Sequence, residues 1–236
     1  MGTVIGVSPG GRGKFAVAAM YWPGRFPALA VGTSSHSGVD AVLNEVVGVS
    51  GEWGGLTYAT IAAPLTWSGS PSGWRKCDKR LKKMLPPWVP STWLRAPNAL
   101  PGAVSVQGAA LTWRLAKEIK AGILPSHGVA ETHALVSWAS IGRDLSDMVL
   151  DYRRGTQTPE RRHDCQRALL ARLVEPGMIR LEGAEPHNAD ELDALLSALV
   201  SLGLGFPDCG LVVKTMVGGD IRPVGQRNVA VLQALP

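Results

Sequence analysis

The sequence predicts a single α/β domain. Three observations carry this: three short β-rich runs at the amino end, a helical stretch leading into a buried strand, and two further apolar helices in the second half. At 236 residues, with 45% apolar and 18% charged side chains, the chain is long enough for one sizeable core and has a globular balance. Between Val4 and Gly32 the runs "VIGV", "FAVAAMYW" and "FPALAVG" are separated by Gly, Pro and Arg turns at hairpin spacing, which predicts a meander of three strands. "VDAVLNEVVG" then has helical spacing, and "LTYATIAAP" reads as a buried strand ended by Pro64.

The stretch from Thr66 to Gly102 is rich in Pro, Ser and Trp and reads as an insertion within the domain. "VSVQGAALTWRLAKEIKAG" is a helix stopped at Gly122, and "HGVAETHAL" is a strand. Helices follow around Glu160 to Leu173 and Ala189 to Leu202. The Gly-rich tail after Pro207 reads as short extended pieces.

The 24 Lys and Arg against 19 Asp and Glu give a formal charge of +5, which favours an anionic partner such as nucleic acid without requiring one. Cys77, Cys165 and Cys209 fit neither a disulfide framework nor a metal knuckle and point to a reducing compartment. There is no signal-peptide pattern, and the apolar run "LDALLSALVSLGLGF" is too short to span a bilayer, so the expectation is a cytoplasmic protein with no membrane partner.

"PGGRGK" falls short of a phosphate-binding loop. Ser8 stands where the leading glycine belongs and Phe15 where Ser or Thr belongs, so the stretch reads as a tight hairpin turn. Arg12 and Lys14 on that turn could still approach a phosphate. "RKCDKRLKKML" sets Arg75, Lys76, Lys79, Arg80, Lys82 and Lys83 on one side of a helix and Cys77, Leu81, Met84 and Leu85 on the other. That basic face fits a nucleic-acid contact or a solvated surface helix equally well. Trp67, Trp74, Trp88 and Trp93 lie nearby in sequence, as stacking platforms for single-stranded nucleic acid do, or as packing residues.

On a strand, "VAETHA" points Glu131 and His133 to the side of Val129. "HNADELDALLSAL" places Asp190 and Asp193 in the first turns of a helix, where acids are ordinary dipole partners. Together, Glu131, Asp190 and Asp193 could form a carboxylate cluster for a hard cation such as Mg²⁺ or Mn²⁺. Spacings for zinc hydrolysis and a serine-esterase elbow are missing from the sequence.

The order of these motifs, "IAAPLTW", "WRKCDKRL", "LPPW", "VAETHA" and "ADELDALLSAL", resembles a family of domains of unknown function predicted to be nucleases of RNase H-like fold. The resemblance runs from about Val4 to about Leu202. It implies a mixed five-stranded sheet, its first three strands antiparallel, flanked by helices, with the basic insertion at about 66–102. It also implies phosphodiester hydrolysis with two divalent metal ions. Glu131, Asp190 and Asp193 match the family's acidic positions as metal-binding and catalytic residues, and Asp78 matches its Arg-x-Cys-Asp unit.

The chain departs from the family at two acids: Ser8 replaces the first-strand aspartate and Ala62 the second. Ala134 also replaces a proline. Loss of two metal ligands costs roughly four orders of magnitude in rate, about 5 kcal/mol of barrier. The expectation is therefore a nuclease-family protein that acts on or binds nucleic acid with weak or absent hydrolysis. The alternatives are a non-enzymatic nucleic-acid or protein binding module and a small-molecule phosphoryl enzyme.

Overall fold

In the computed structural model all residues are described except 67, 69, 95–101, 125, 127, 184, 218–227 and 236. Among the described residues, one mixed sheet has strands β1 (Gly2–Gly11), β2 (Lys14–Trp22), β3 (Ala28–Ser37), β4 (Leu56–Ile61), β5 (Gly128–Thr132), β6 (Ile179–Leu181), β7 (Val212–Val217) and β8 (Asn228–Ala234). Their order across the sheet is β6-β3-β2-β1-β4-β5-β8-β7. The expected meander forms, with β1 antiparallel to β2 and β2 to β3. Strands β4 and β5 then add parallel to β1.

The expected five strands are thus corrected to eight. The three additions are one three-residue edge strand and two strands from the Gly-rich tail. β6 and β8 join the sheet through distant parts of the chain, β6 pairing with β3 and β8 with β5, while β7 pairs antiparallel with β8, the next strand. Local pattern carries no record of such pairings.

The helices are α1 (Val39–Glu52), α2 (Lys76–Met84), α3 (Gly102–Lys120), α4 (Ala134–Ile141), α5 (Ser146–Asp151), α6 (Pro159–Val174) and α7 (Ala189–Gly205). Alternation along β1 sorts the sheet's two faces. Ile5 and Val7 pack with Ile61, Leu111 and Leu115 beneath α1 and α3, while Val4 faces the core around α7. The "PGGRGK" stretch is the expected hairpin turn: Gly11, Arg12 and Gly13 all have positive φ. The insertion packs into the same body, since Cys77, Leu81 and Leu94 share a cluster with Val136, Val229 and Val231. No helix among the described residues is long and apolar enough to cross a membrane.

Helix α7 is the core element. Every residue from Glu191 to Leu202 is buried, so it reads as apolar almost all round. Asn188 caps it by accepting from the backbone N–H groups of Asp190 and Glu191, each at 3.0 Å. Glu191 in turn accepts from the His187 N–H at 2.8 Å and from Ser35 Oγ at 2.7 Å, tying the helix start to β3. Further along, Thr60 Oγ1 donates to the Ser197 carbonyl at 2.6 Å and Ser201 Oγ to the Ile5 carbonyl at 2.7 Å.

Such close helix-on-strand contact requires Gly6, because a Cβ there would sit 2.0 Å from the Ala194 carbonyl oxygen and 2.2 Å from the Ala198 nitrogen. Gly6→Ala is expected to cost about 3 kcal/mol or more in chemical denaturation, since the obstacle is helix backbone and cannot rotate away. Gly32→Ala, where a Cβ meets nothing within 4 Å, is expected to change stability by less than about 1 kcal/mol.

Candidate functional site

Strands β1, β4 and β5 run parallel, so their carboxyl ends and the loops that leave them lie at one end of the sheet. Open α/β sheets bind ligands at that end. A cleft of about 570 Å³ opens there, and Ala62, Glu131, Thr132, His133, Arg75 and Asp193 are among the residues that line it.

Glu131, the last but one residue of β5, is 3% exposed. Its Oε2 accepts from the Leu65 N–H at 2.8 Å and from Arg75 Nη1 at 2.6 Å, and its Oε1 accepts from Arg75 Nη2. Arg75 is itself 1% exposed and stands at the N-cap of α2. Its Nε donates to Asp78 Oδ2 at 2.9 Å and its Nη2 to Asp78 Oδ1 at 2.6 Å, while Nη1 reaches Thr66 Oγ1 at 2.9 Å. All five guanidinium donors are thereby used.

The expectation that Arg75 belongs to an exposed nucleic-acid face is therefore corrected. At the first turn of α2 its side chain lies on the same side as Asp78, three residues on, and folds inward. Burial alone would lower the Arg75 pKa, but the charges of Glu131 and Asp78 outweigh it and hold the guanidinium protonated. Burial raises the Glu131 pKa, with Arg75 and the Leu65 N–H opposing that rise.

The two helix acids meet a second guanidinium. Asp193 is fully buried; its Oδ1 accepts from Tyr152 Oη at 2.9 Å and Trp138 Nε1 at 3.1 Å, and its Oδ2 accepts from Arg153 Nη1. Arg153 Nη2 donates to Asp190. Burial lifts the Asp193 carboxyl, opposed by Arg153 and the two ring donors. The same burial, with the Asp193 charge beside it, pushes the Tyr152 hydroxyl well up.

Glu131 and His133 do not share one strand face, because β5 ends at Thr132 and His133 becomes the N-cap of α4. Burial drops the His133 pKa to about 4, so its imidazole is neutral near pH 7. Ser8, 2% exposed near the end of β1, and Ala62, which follows β4, are neighbours: Val7 pairs with Ile61, and the Ala62 N–H donates to the Val7 carbonyl at 2.7 Å. The two positions where the resemblance implies acids thus do lie together, as a hydroxyl and a methyl group.

This donor set does not fit a two-metal centre. Mg²⁺ and Mn²⁺ favour several charged oxygens free to coordinate, whereas Glu131 is held by Arg75, and Asp190 and Asp193 by Arg153. Among the described residues, no three His, Cys, Asp or Glu side chains are grouped to hold a metal ion.

The remaining basic residues face outward. Lys76, Lys79, Arg80, Lys82 and Lys83 are all exposed along α2, and none has a carboxylate within ion-pair distance among the described residues. Lys82 Nζ lies 5.2 Å from the centre of the half-buried Trp74 ring, a cation–π contact. Arg12 and Lys14 are exposed on the β1–β2 turn at the same end of the sheet as the cleft. Trp88 packs partly into the core and Trp93 lines the cleft, while Trp67 lies outside the described residues.

Sequence reasoning missed Arg153 as a site residue, since "DYRRGTQTP" gives no periodic signal. The partnership of Arg75 did have one: an arginine three residues before an aspartate at a helix start. In comparisons with known proteins, no family model, no curated sequence and no solved structure matches the chain.

Removing one partner of a buried ion pair leaves an uncompensated charge. Arg75→Met is therefore expected to cost about 3–5 kcal/mol of unfolding free energy, and the triple change Arg75→Met/Glu131→Gln/Asp78→Asn to recover part of that loss. Urea unfolding of the two variants beside the parent checks both.

Proposed function

We propose that the chain is a nucleic-acid-binding protein built on an RNase H-like sheet, with phosphodiester hydrolysis weak or absent. The central strand order β3-β2-β1-β4-β5, with an antiparallel meander followed by parallel strands, supports the RNase H-like assignment, on which β6, β7 and β8 are edge additions.

The observation that carries the binding reading is the row of five exposed cations on α2. They lie on the outer face of a helix whose inner face carries Asp78, a cleft residue, are free of acidic partners among the described residues, and follow directly on the buried Arg75 at the helix start. A solvated surface helix commonly interleaves both signs to form ion pairs along its length. Here Asp78 is the sole acid of α2 and it points inward, so the outer face presents positive charge alone. That is the electrostatic footprint of a phosphate-backbone contact.

Three features speak against efficient hydrolysis: Ser8, Ala62, and the engagement of Glu131, Asp190 and Asp193 by guanidinium groups. A phosphate bound along α2 would meet lysine and arginine donors that position a backbone without activating a water.

Binding of labelled single-stranded and duplex DNA and RNA across a salt series tests this reading. With all five cations on phosphates, the slope of log K against log salt is expected near −3.5 for a single strand, at ~−0.7 per contact. Lys79→Ala/Lys83→Ala is expected to shallow it by about 1.4 without altering the melting temperature, because both side chains are exposed. Salt-independent binding, or none, contradicts the reading.

A further inference from the structure

We propose that the cleft at the carboxyl ends of β4 and β5 receives one unstacked nucleobase carrying its phosphate, so that the preferred ligand is single-stranded. This rests on the binding role of α2 proposed above and adds to it the part of the ligand that enters the protein.

The first support is unmet hydrogen bonding. Thr132 is 2% exposed, and its Oγ1 has no partner among the described residues; nor does the buried Nδ1 of the adjacent His133. Both residues line the cleft. Folded proteins satisfy nearly all buried polar atoms, and two consecutive exceptions just beneath the wall of one cleft mark a place where a small side-chain adjustment would meet an incoming donor and acceptor. A hydroxyl that both gives and takes, beside an imidazole nitrogen, suits the edge of a base.

The second support is charge. The ionised groups in the cleft are already matched, Arg75 to Glu131 and Asp78, and Arg153 to Asp193, so the interior favours a neutral ring over a bare anion. Apolar walls are supplied by Leu94, Val104 and Leu135, and Trp93 offers an indole for stacking. The volume of about 570 Å³ lies within the usual range of small-ligand sites, roughly 300–1,000 Å³.

The third support is what surrounds the opening. Arg154, 55% exposed at the cleft mouth, is paired with Asp151 only at 3.9 Å, a long exposed contact for which a phosphate attached to the base would compete. Arg75, which lines the cleft, immediately precedes α2, whose outer face carries the five exposed cations. A base can enter only after leaving its stack, which costs least in a single strand.

The test compares four probes at fixed salt: a base-bearing DNA single strand, an abasic strand of equal length, the corresponding duplex, and a mononucleotide. The base-bearing strand is expected to bind about tenfold or more tightly than the abasic strand or the duplex. Thr132→Val should reduce that preference to about threefold or less while leaving the melting temperature unchanged or higher, because it deletes an unpartnered hydroxyl. Trp93→Ala should also reduce the preference.

Equal, steeply salt-dependent binding of base-bearing and abasic strands overturns the cleft assignment while leaving the role of α2 standing. A base preference untouched by Thr132→Val and Trp93→Ala overturns it as well. Binding of the mononucleotide alone, lost in Thr132→Val, supports the cleft with a free nucleotide as its ligand and overturns the role of α2. Binding of none of the probes overturns both.

Discussion

The buried guanidinium of Arg75 is the interaction on which the cleft end of the molecule depends. It joins three parts of the chain: the end of β5, 56 residues away, through Glu131, the first turn of α2 through Asp78, and the loop after β4 through Thr66. An arginine this deep carries a desolvation penalty of several kcal/mol, offset only when each donor finds an acceptor in good geometry. All five do. The resulting rigidity sets where α2 begins and how the loop from Ala62 to Thr66 leaves the sheet, and so shapes the cleft.

Arg153 repeats the arrangement on the α7 side, with Asp193 buried beneath it and Asp190 nearer solvent. In both places a guanidinium stands against a carboxylate pair: Glu131 and Asp78 for Arg75, Asp190 and Asp193 for Arg153. Planar delocalised cations with fixed forked donors suit paired carboxylates and are less strongly hydrated than an ammonium group. Acidity is thereby turned inward and neutralised, while the basic side chains of α2 remain outside. Within this one short helix the inner face contributes stability and the outer face carries exposed positive charge. Ser8 and Ala62 are consistent with that division, because acids there would add negative charge to a region whose cations are already committed.

Much of the scaffold was legible in the sequence because its signals are local. The three-strand meander has turn chemistry at hairpin spacing, α2 and α7 have apolar periodicity, and β4 is a β-rich run closed by Pro64. What was not legible depends on distant partners. The tail does form the extended pieces expected of it, as β7 and β8, but the place of β8 beside β5, and the three-residue β6 beside β3, come from pairing. The site divides in the same way. Glu131, Asp190 and Asp193 were recognisable as acids at one end of the fold, but their partners were not, since ion pairing across 56 or 40 residues leaves no periodic mark. Arg75 shows the limit most clearly: counted with its basic neighbours it looks like surface charge, and only its position at the start of the helix turns it inward.

The central claim is that guanidinium groups, in place of divalent ions, hold the carboxylates at this end of the sheet. Thermal unfolding in excess Mn²⁺ and in excess chelator tests it most directly, with Glu131→Gln and Asp193→Asn measured alongside. The account predicts melting temperatures that agree within about 1 °C, because no ligand that binds only the folded state is gained or lost. A saturable rise with Mn²⁺, about 5–10 °C at a hundredfold excess over Kd, that disappears in either variant would show the acids coordinating metal and would contradict it.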